Sequence, residues 1–298
     1  MHAMETRSNH GLILPRLRYR LAAVALLSAV CLNSGCSVAN LATADRYAKG
    51  LVVILPGIEG RSVYNVSIAN GLNKGRISGA IEIFDWGVAT PGGFLVNLTA
   101  LDRNKRQAEK LARRIKHYQA SFPERPVHLL AHSGGGGIAL LALKAMAPDQ
   151  QITAAYLLAP AMSPEYDLSD ALQRTELGIW NFYSPKDVSF LTVGTSMFGT
   201  IDRRHTASAG AVGFRAPDDL DRNGQTLYAV KLHQAPHNAK MQKAGSDGSH
   251  LGWANEKFVR TWLAPMVLAD VRATRIPRYT TTTLARAHQR PGSTTLSN

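Results

Sequence analysis

Two observations predict an α/β protein, a mostly parallel central sheet with helices on both faces. Short, almost wholly apolar runs recur along the chain, and longer segments of helical period lie between them. A strand that is apolar on both sides has to be covered on both sides, which a parallel sheet with crossover helices provides. The size allows it: 298 residues, 45% hydrophobic and 18% charged, can bury one large core.

Taken in order, the chain begins with a targeting segment over residues 1–35. Arg16, Arg18 and Arg20 precede an uncharged run from Leu21 to Leu32, followed by Asn33-Ser34-Gly35-Cys36. A basic start, a short apolar run and small residues at its end are what a secretory signal peptide requires. At about 1.5 Å per residue the run reaches about 18 Å, short of the roughly 30 Å of a bilayer core. The chain has 2 cysteines, Cys31 and Cys36, so cleavage before Cys36 leaves no partner for an internal disulfide. The segment resembles a bacterial lipoprotein signal, which implies acylation of Cys36 and a lipid-anchored protein of the cell envelope. A soluble secreted form and an ordinary buried helix are the alternatives.

Residues 36–50 are a polar connector. Strands are expected at Leu51 to Leu55, Ala80 to Phe84, Val127 to Ala131, Ile152 to Leu158, Gly178 to Tyr183 and Thr226 to Leu232. Helices are expected at Arg61 to Leu72, Leu101 to Ala120, Gly135 to Ala147 and, last, Ala254 to Leu263. In the second of these Leu101, Ala108, Leu111, Ile115 and Tyr118 share one face, while Arg103, Lys105, Arg106, Lys110, Arg113 and Arg114 point away as a solvated basic face. Ile201 to Asp221 reads as a loop near the carboxyl edge of the sheet. The domain is bounded at 51–270, and residues 271–298 form a flexible tail with too little apolar surface to order it.

The formal charge of +13 does not mark a nucleic-acid partner. Residues 1–35 hold a net +3, and residues 271–298 hold five arginines and no acid, so +5 falls on the region between. Metal chemistry has no motif either, since the histidines lack the His-Glu-x-x-His spacing and no cysteine cluster exists. No cofactor is called for.

The sharpest local signal is Val127-His128-Leu129-Leu130-Ala131-His132-Ser133, a buried strand, running into Gly134-Gly135-Gly136-Gly137 and an apolar helix. A serine at so sharp a strand-to-helix turn is held strained with its hydroxyl above the sheet, and its neighbours must be small for strand and helix to approach. A phosphate loop would need Lys then Ser or Thr after the glycines, where Ile138 and Ala139 stand. The segment resembles the nucleophile elbow of the α/β-hydrolase superfamily, with Ala131 in place of the first Gly, and the resemblance covers about Leu51 to Val267. It implies an α/β-hydrolase fold with Ser133 as nucleophile, then an acid, then a histidine along the chain.

Asp187 follows the strand ending at Tyr183 in Ser184-Pro185-Lys186-Asp187, where the family carries its acid. Asp167, Asp170 and Asp202 compete without so clear a strand before them. His250 sits in the Gly-rich loop Gly245 to Trp253, ahead of the closing helix, and can swing over the serine; His233 and His237 are second choices, and His132 packs or lines the pocket. Acyl transfer also needs two N–H donors for the carbonyl oxygen. The resemblance assigns them to Gly134 and, in the loop Pro56-Gly57-Ile58-Glu59-Gly60, to Ile58. Asp85-Trp86-Gly87 is structural or lines the pocket. The sequons at Asn65 and Asn97 are accidental. The implied activity is a serine hydrolase cleaving small carboxylic esters through Ser133, Asp187 and His250, with an amidase or peptidase, or a tethered non-catalytic binding protein, as alternatives.

Overall fold

A computed structural model describes residues 40–88, 90, 93–187 and 199–275. The expected signal peptide, Cys36 and all of the expected tail beyond residue 275 lie outside the described residues.

Six parallel strands form one sheet: β1 (Leu51–Leu55), β2 (Ala80–Ile83), β3 (Val127–His132), β4 (Ala154–Leu158), β5 (Ile179–Tyr183) and β6 (Leu232–Pro236), in the spatial order β2-β1-β3-β4-β5-β6. β1, β3 and β4 are buried at every residue; β1 and β4 are apolar throughout, and β3 carries two buried histidines, His128 and His132. The helices are α1 (Ala44–Tyr47), α2 (Val63–Lys74), α3 (Gly93–Thr99), α4 (Leu101–Ser121), α5 (Gly134–Ala145), α6 (Ser169–Gln173), α7 (Ala209–Val212), α8 (Arg222–Lys231), α9 (Ala239–Lys243) and α10 (Ala264–Arg275).

Two helical layers enclose the sheet. In one, α4 packs on α5, with α6 and α8 beyond. In the other, α2 meets the helical turns Glu256–Phe258 and Val259–Leu263, which run on into α10. His128 and Tyr156, on the face toward α10, both reach Asp270 of that helix, His128 Nε2 at 3.5 Å and Tyr156 through its hydroxyl. The α/β class and the covered parallel sheet are as expected, and no helix among the described residues is long and apolar enough to cross a membrane.

The differences are local. Thr226 to Leu232 is not a strand: helix α8 occupies it, and the sixth strand starts only at Leu232. Its β-branched and aromatic residues read as strand, but Asp221 caps the helix by accepting the Gly224 N–H at 2.7 Å, and of that helix only Tyr228 is buried. The connector is not wholly free of the domain. Leu41 is buried, and Arg46 of α1 donates to the carbonyls of Gly79 and Ile77 at 3.0 and 2.8 Å. The closing helix passes residue 270 and runs to Arg275. On α4 the predicted apolar face is the buried one, yet two arginines of the other face have partners: Arg103 donates to the Trp86 carbonyl, and Arg114 pairs with Glu82.

Candidate active site

Strand order reverses at β1, whose neighbours are β2 on one side and β3 on the other. The chain leaves β1 for the α2 layer and β3 for the α4–α5 layer, which opens a crevice beyond their carboxyl ends, the usual ligand site in open α/β sheets. Ser133 stands on its β3 side, Ile58 on its β1 side.

Ser133 has φ 54° and ψ −123°, a left-handed backbone that a non-glycine residue adopts only under strain. It is held by its neighbours: Ser133 N–H donates to Leu158 O at 2.9 Å, and its own carbonyl accepts from Gly136 and Ala161, both at 3.0 Å. The glycines after it are there for close approach. A Cβ on Gly135 would lie 2.4 Å from Pro56 O and 2.5 Å from Leu55 O, so α5 is pressed against the end of β1. A Cβ on Gly134 would lie 2.7 Å from Ile58 Cγ2, so the Ile58 side chain packs against the residue after Ser133.

The orientation of the Ile58 N–H follows from the turn that contains it. Gly57 O accepts from Gly60 N–H at 3.1 Å, and the Ile58 N–H, trans across the same peptide, points the opposite way. Trp86 Nε1 donates to Pro56 O and Asn97 Nδ2 to Ile58 O, both at 2.8 Å, which locks the planes on either side. Among the described residues neither the Ile58 nor the Gly134 N–H has an acceptor.

Asp187 closes a 3₁₀ turn, Pro185–Asp187, directly after β5; its N–H donates to Ser184 O at 3.0 Å, and the residue is 1% exposed. His250 Nδ1 lies 3.0 Å from Asp187 Oδ1 and 3.3 Å from Oδ2, with the hydrogen bond directed to Oδ2. Where Asp187 is ionised it only accepts, so Nδ1 then carries the proton and Nε2 keeps its lone pair. Burial pushes the Asp187 carboxyl up to about 8, opposed by the charge of the His132 ring. Burial holds the His250 imidazole down at about 4, so the resting base is neutral.

His132, adjacent to the serine, does more than line a pocket. Its Nε2–H donates to the backbone carbonyl of His250 at 2.9 Å, and the two rings lie 4.7 Å apart. Burial first, and the His250 charge second, keep His132 down at about 4. His132 thus ties the histidine loop to the strand end that bears Ser133, a role for which its sequence carried no signal beyond adjacency. His237 supports the same loop by donating to Ser246 O at 2.8 Å, while His233 is stacked on Trp180 and bonded to Leu177 O, away from it. The rival acids are engaged elsewhere: Asp202 with Ser163 and Thr200, Asp167 with Ser169 and Tyr228, Asp170 with Lys144. Asn65 and Asn97 are each 1% exposed and bonded to backbone carbonyls, so neither sequon is open to a transferase. Among the described residues no group of three His, Cys, Asp or Glu could hold a metal ion.

The strained serine between β3 and α5, with an acid after β5 and a histidine after β6, follows the nucleophile, acid, base order of that superfamily. The fold is an α/β sheet of six parallel strands with helices on both faces. No family model matches the chain, and no curated protein does. Solved structures with distant likeness include Est1E from Butyrivibrio proteoclasticus, at 12% identity and TM-score 0.44 over 78% of this chain and 92% of that one. Esterase B from Lactobacillus rhamnosis overlaps at 11% identity and TM-score 0.44, over 92% of this chain and 97% of its own. XC6422 from Xanthomonas campestris, described as an a/b serine hydrolase without lid, overlaps at 15% identity and TM-score 0.41, over 78% of this chain and 86% of its own.

Proposed function

We propose that the chain is a serine hydrolase that cleaves carboxylic esters. His250 Nε2 takes the proton of Ser133 Oγ as that oxygen attacks the ester carbonyl, while Asp187 holds the imidazole in the required tautomer and balances its charge once protonated. The backbone N–H groups of Ile58 and Gly134 receive the oxyanion. His250 then gives its proton to the departing alcohol, and a water molecule deprotonated by the same ring releases the acid. The observation that carries the reading is a buried His250–Asp187 pair fastened, through His132, to the strand end where Ser133 is strained.

Fluorophosphonate labelling tests it. Wild type is expected to label at Ser133, and Ser133→Ala to remain unlabelled; a folded wild type that never labels overturns the hydrolase reading and leaves a non-catalytic binding protein. A panel of p-nitrophenyl esters and matched anilides then separates esterase from amidase or peptidase. Short to medium acyl chains are expected to be preferred, since the polar composition of the stretch after Ile201 does not suggest an apolar lid.

The envelope location is a proposal of its own. The leader supports export, and Gly35-Cys36 supports an acyl anchor. Metabolic labelling with palmitate tests the anchor: label on wild type and none on Cys36→Ser is the expected result, and equal label on both refutes it.

A further inference from the structure

Glu59 brings a negative charge to a place where the chemistry above would rather have none. It follows the donor residue Ile58, and its exposed side chain lies back along the loop: Oε1 accepts the Gly57 N–H at 3.3 Å and the Ser62 hydroxyl at 3.4 Å. A Cβ built on Gly57 would sit 2.2 Å from Glu59 Oε2 and 3.1 Å from Ser133 Cβ. The carboxylate and the nucleophile's Cβ therefore stand on either side of one small gap, no farther apart than those two lengths laid end to end. The field of Glu59 also reaches His132, where it favours the protonated ring. Among the described residues no Lys or Arg forms an ion pair with it, and the side chain is solvent-exposed.

An unneutralised carboxylate at this range opposes the negative charge that grows on the carbonyl oxygen, so a neutral ester reacts against a repulsion. A substrate that brings its own positive charge removes that repulsion and gains an ion pair. We propose that Glu59 is a specificity-determining carboxylate that selects esters bearing a cationic group within a few bonds of the scissile carbonyl. The proposal rests on the ester-hydrolase reading and names its substrate class.

The test compares isosteric esters on wild type, Glu59→Gln and Glu59→Lys. Glu59→Gln keeps an oxygen for the Gly57 and Ser62 bonds and removes only the charge. On the acyl side the probes are p-nitrophenyl esters of an ω-trimethylammonio acid, its neutral tert-butyl isostere and the ω-sulfonate of equal chain length. On the alcohol side they are choline butyrate and its neutral carbon isostere. Wild type is expected to favour the cation over the neutral isostere by about tenfold in kcat/KM on at least one side, with the sulfonate slowest. Glu59→Gln should bring the ratio to about one and speed the neutral ester, molar salt should narrow the wild-type ratio, and Glu59→Lys should invert it. Equal ratios in wild type and Glu59→Gln on both sides overturn the proposal while leaving the hydrolase intact. Loss of all turnover and of fluorophosphonate labelling in folded wild type would instead overturn the hydrolase reading beneath it. Fluorophosphonate labelling of each variant reports that its site is assembled.

Discussion

Because burial holds His250 down at about 4, its imidazole can accept a proton at every pH above that value, including the range where a free histidine is half charged. With a neutral p-nitrophenyl ester and falling pH, kcat/KM is expected to fall through about 8 as Asp187 loses its charge, to show no inflection at the ordinary imidazole value of 6.5, and to fall again on approach to about 4 as His250 gains its proton. An inflection at the ordinary value would contradict a buried base. The neighbour of the serine acts on the same ring through one bond, His132 Nε2–H to the His250 carbonyl. His132→Phe keeps the bulk and removes the donor, and kcat should fall by about tenfold with KM unchanged, the effect of losing one positioning hydrogen bond. Steady-state kinetics decide it, and an unaltered kcat would show that the loop finds its place without that bond. Ser133 and Asp187 could be read from their place after apolar strands, whereas His132 could not: adjacency in sequence says nothing of a carbonyl 118 positions away.

Among elements, α5 is pressed onto the sheet more closely than any side chain permits. Gly135→Ala would drive a methyl into the carbonyls of Leu55 and Pro56, backbone atoms that cannot turn aside, whereas Gly137→Ala meets side-chain atoms of Ile201, Cγ2 at 2.6 Å and Cβ at 2.8 Å, which a shift of that one residue can relieve. Urea unfolding should show Gly135→Ala destabilised by about 3 kcal/mol and Gly137→Ala by about 1 kcal/mol; equal losses would mean that α5 can slide. At the opposite end of the sheet α10 is pinned through Asp270 to Tyr156 and His128. Asp270→Asn should cost about 1–3 kcal/mol in the same assay and leave kcat/KM untouched, since the clip lies far from the crevice. The helical periodicity of α4 was legible because its buried residues repeat cleanly. That of α8 was hidden, since only Tyr228 of it is buried and the stretch from Thr226 carries strand-forming side chains.

For the whole molecule, three buried groups set the pH profile of stability. His132 and His250, both down at about 4, contribute stability that is complete above the unfolded value of 6.5 and lost as the pH falls toward 4. Asp187, raised to about 8, acts in the other direction: its contribution is present below the unfolded value of 3.8 and lost as the pH rises through 8. Two groups outweigh one in the acid range, so Tm should climb from about pH 4 to about pH 6.5 and then decline as steeply toward about pH 8. Asp187→Asn should abolish the decline and keep the climb. Thermal unfolding monitored by circular dichroism reads both, and a Tm still rising beyond neutrality would show that Asp187 is ionised in the folded state.

The sequence by itself determined the class of fold, the five strands before α8, the sharp turn at Ser133 and the order in which Asp187 and His250 follow it. Each of these is a local matter: unbroken apolar runs demand cover on both sides, and a strand that ends at a serine among glycines has few conformations open to it. Only the tertiary structure decided that His132 holds the His250 loop, that Trp86 and Asn97 lock the donor loop, that Arg103 and Arg114 leave the solvated face for partners, and that Glu59 folds back against the nucleophile. Those contacts join residues far apart in the chain, and no periodicity or spacing encodes a distance that exists only once the sheet has closed its crevice.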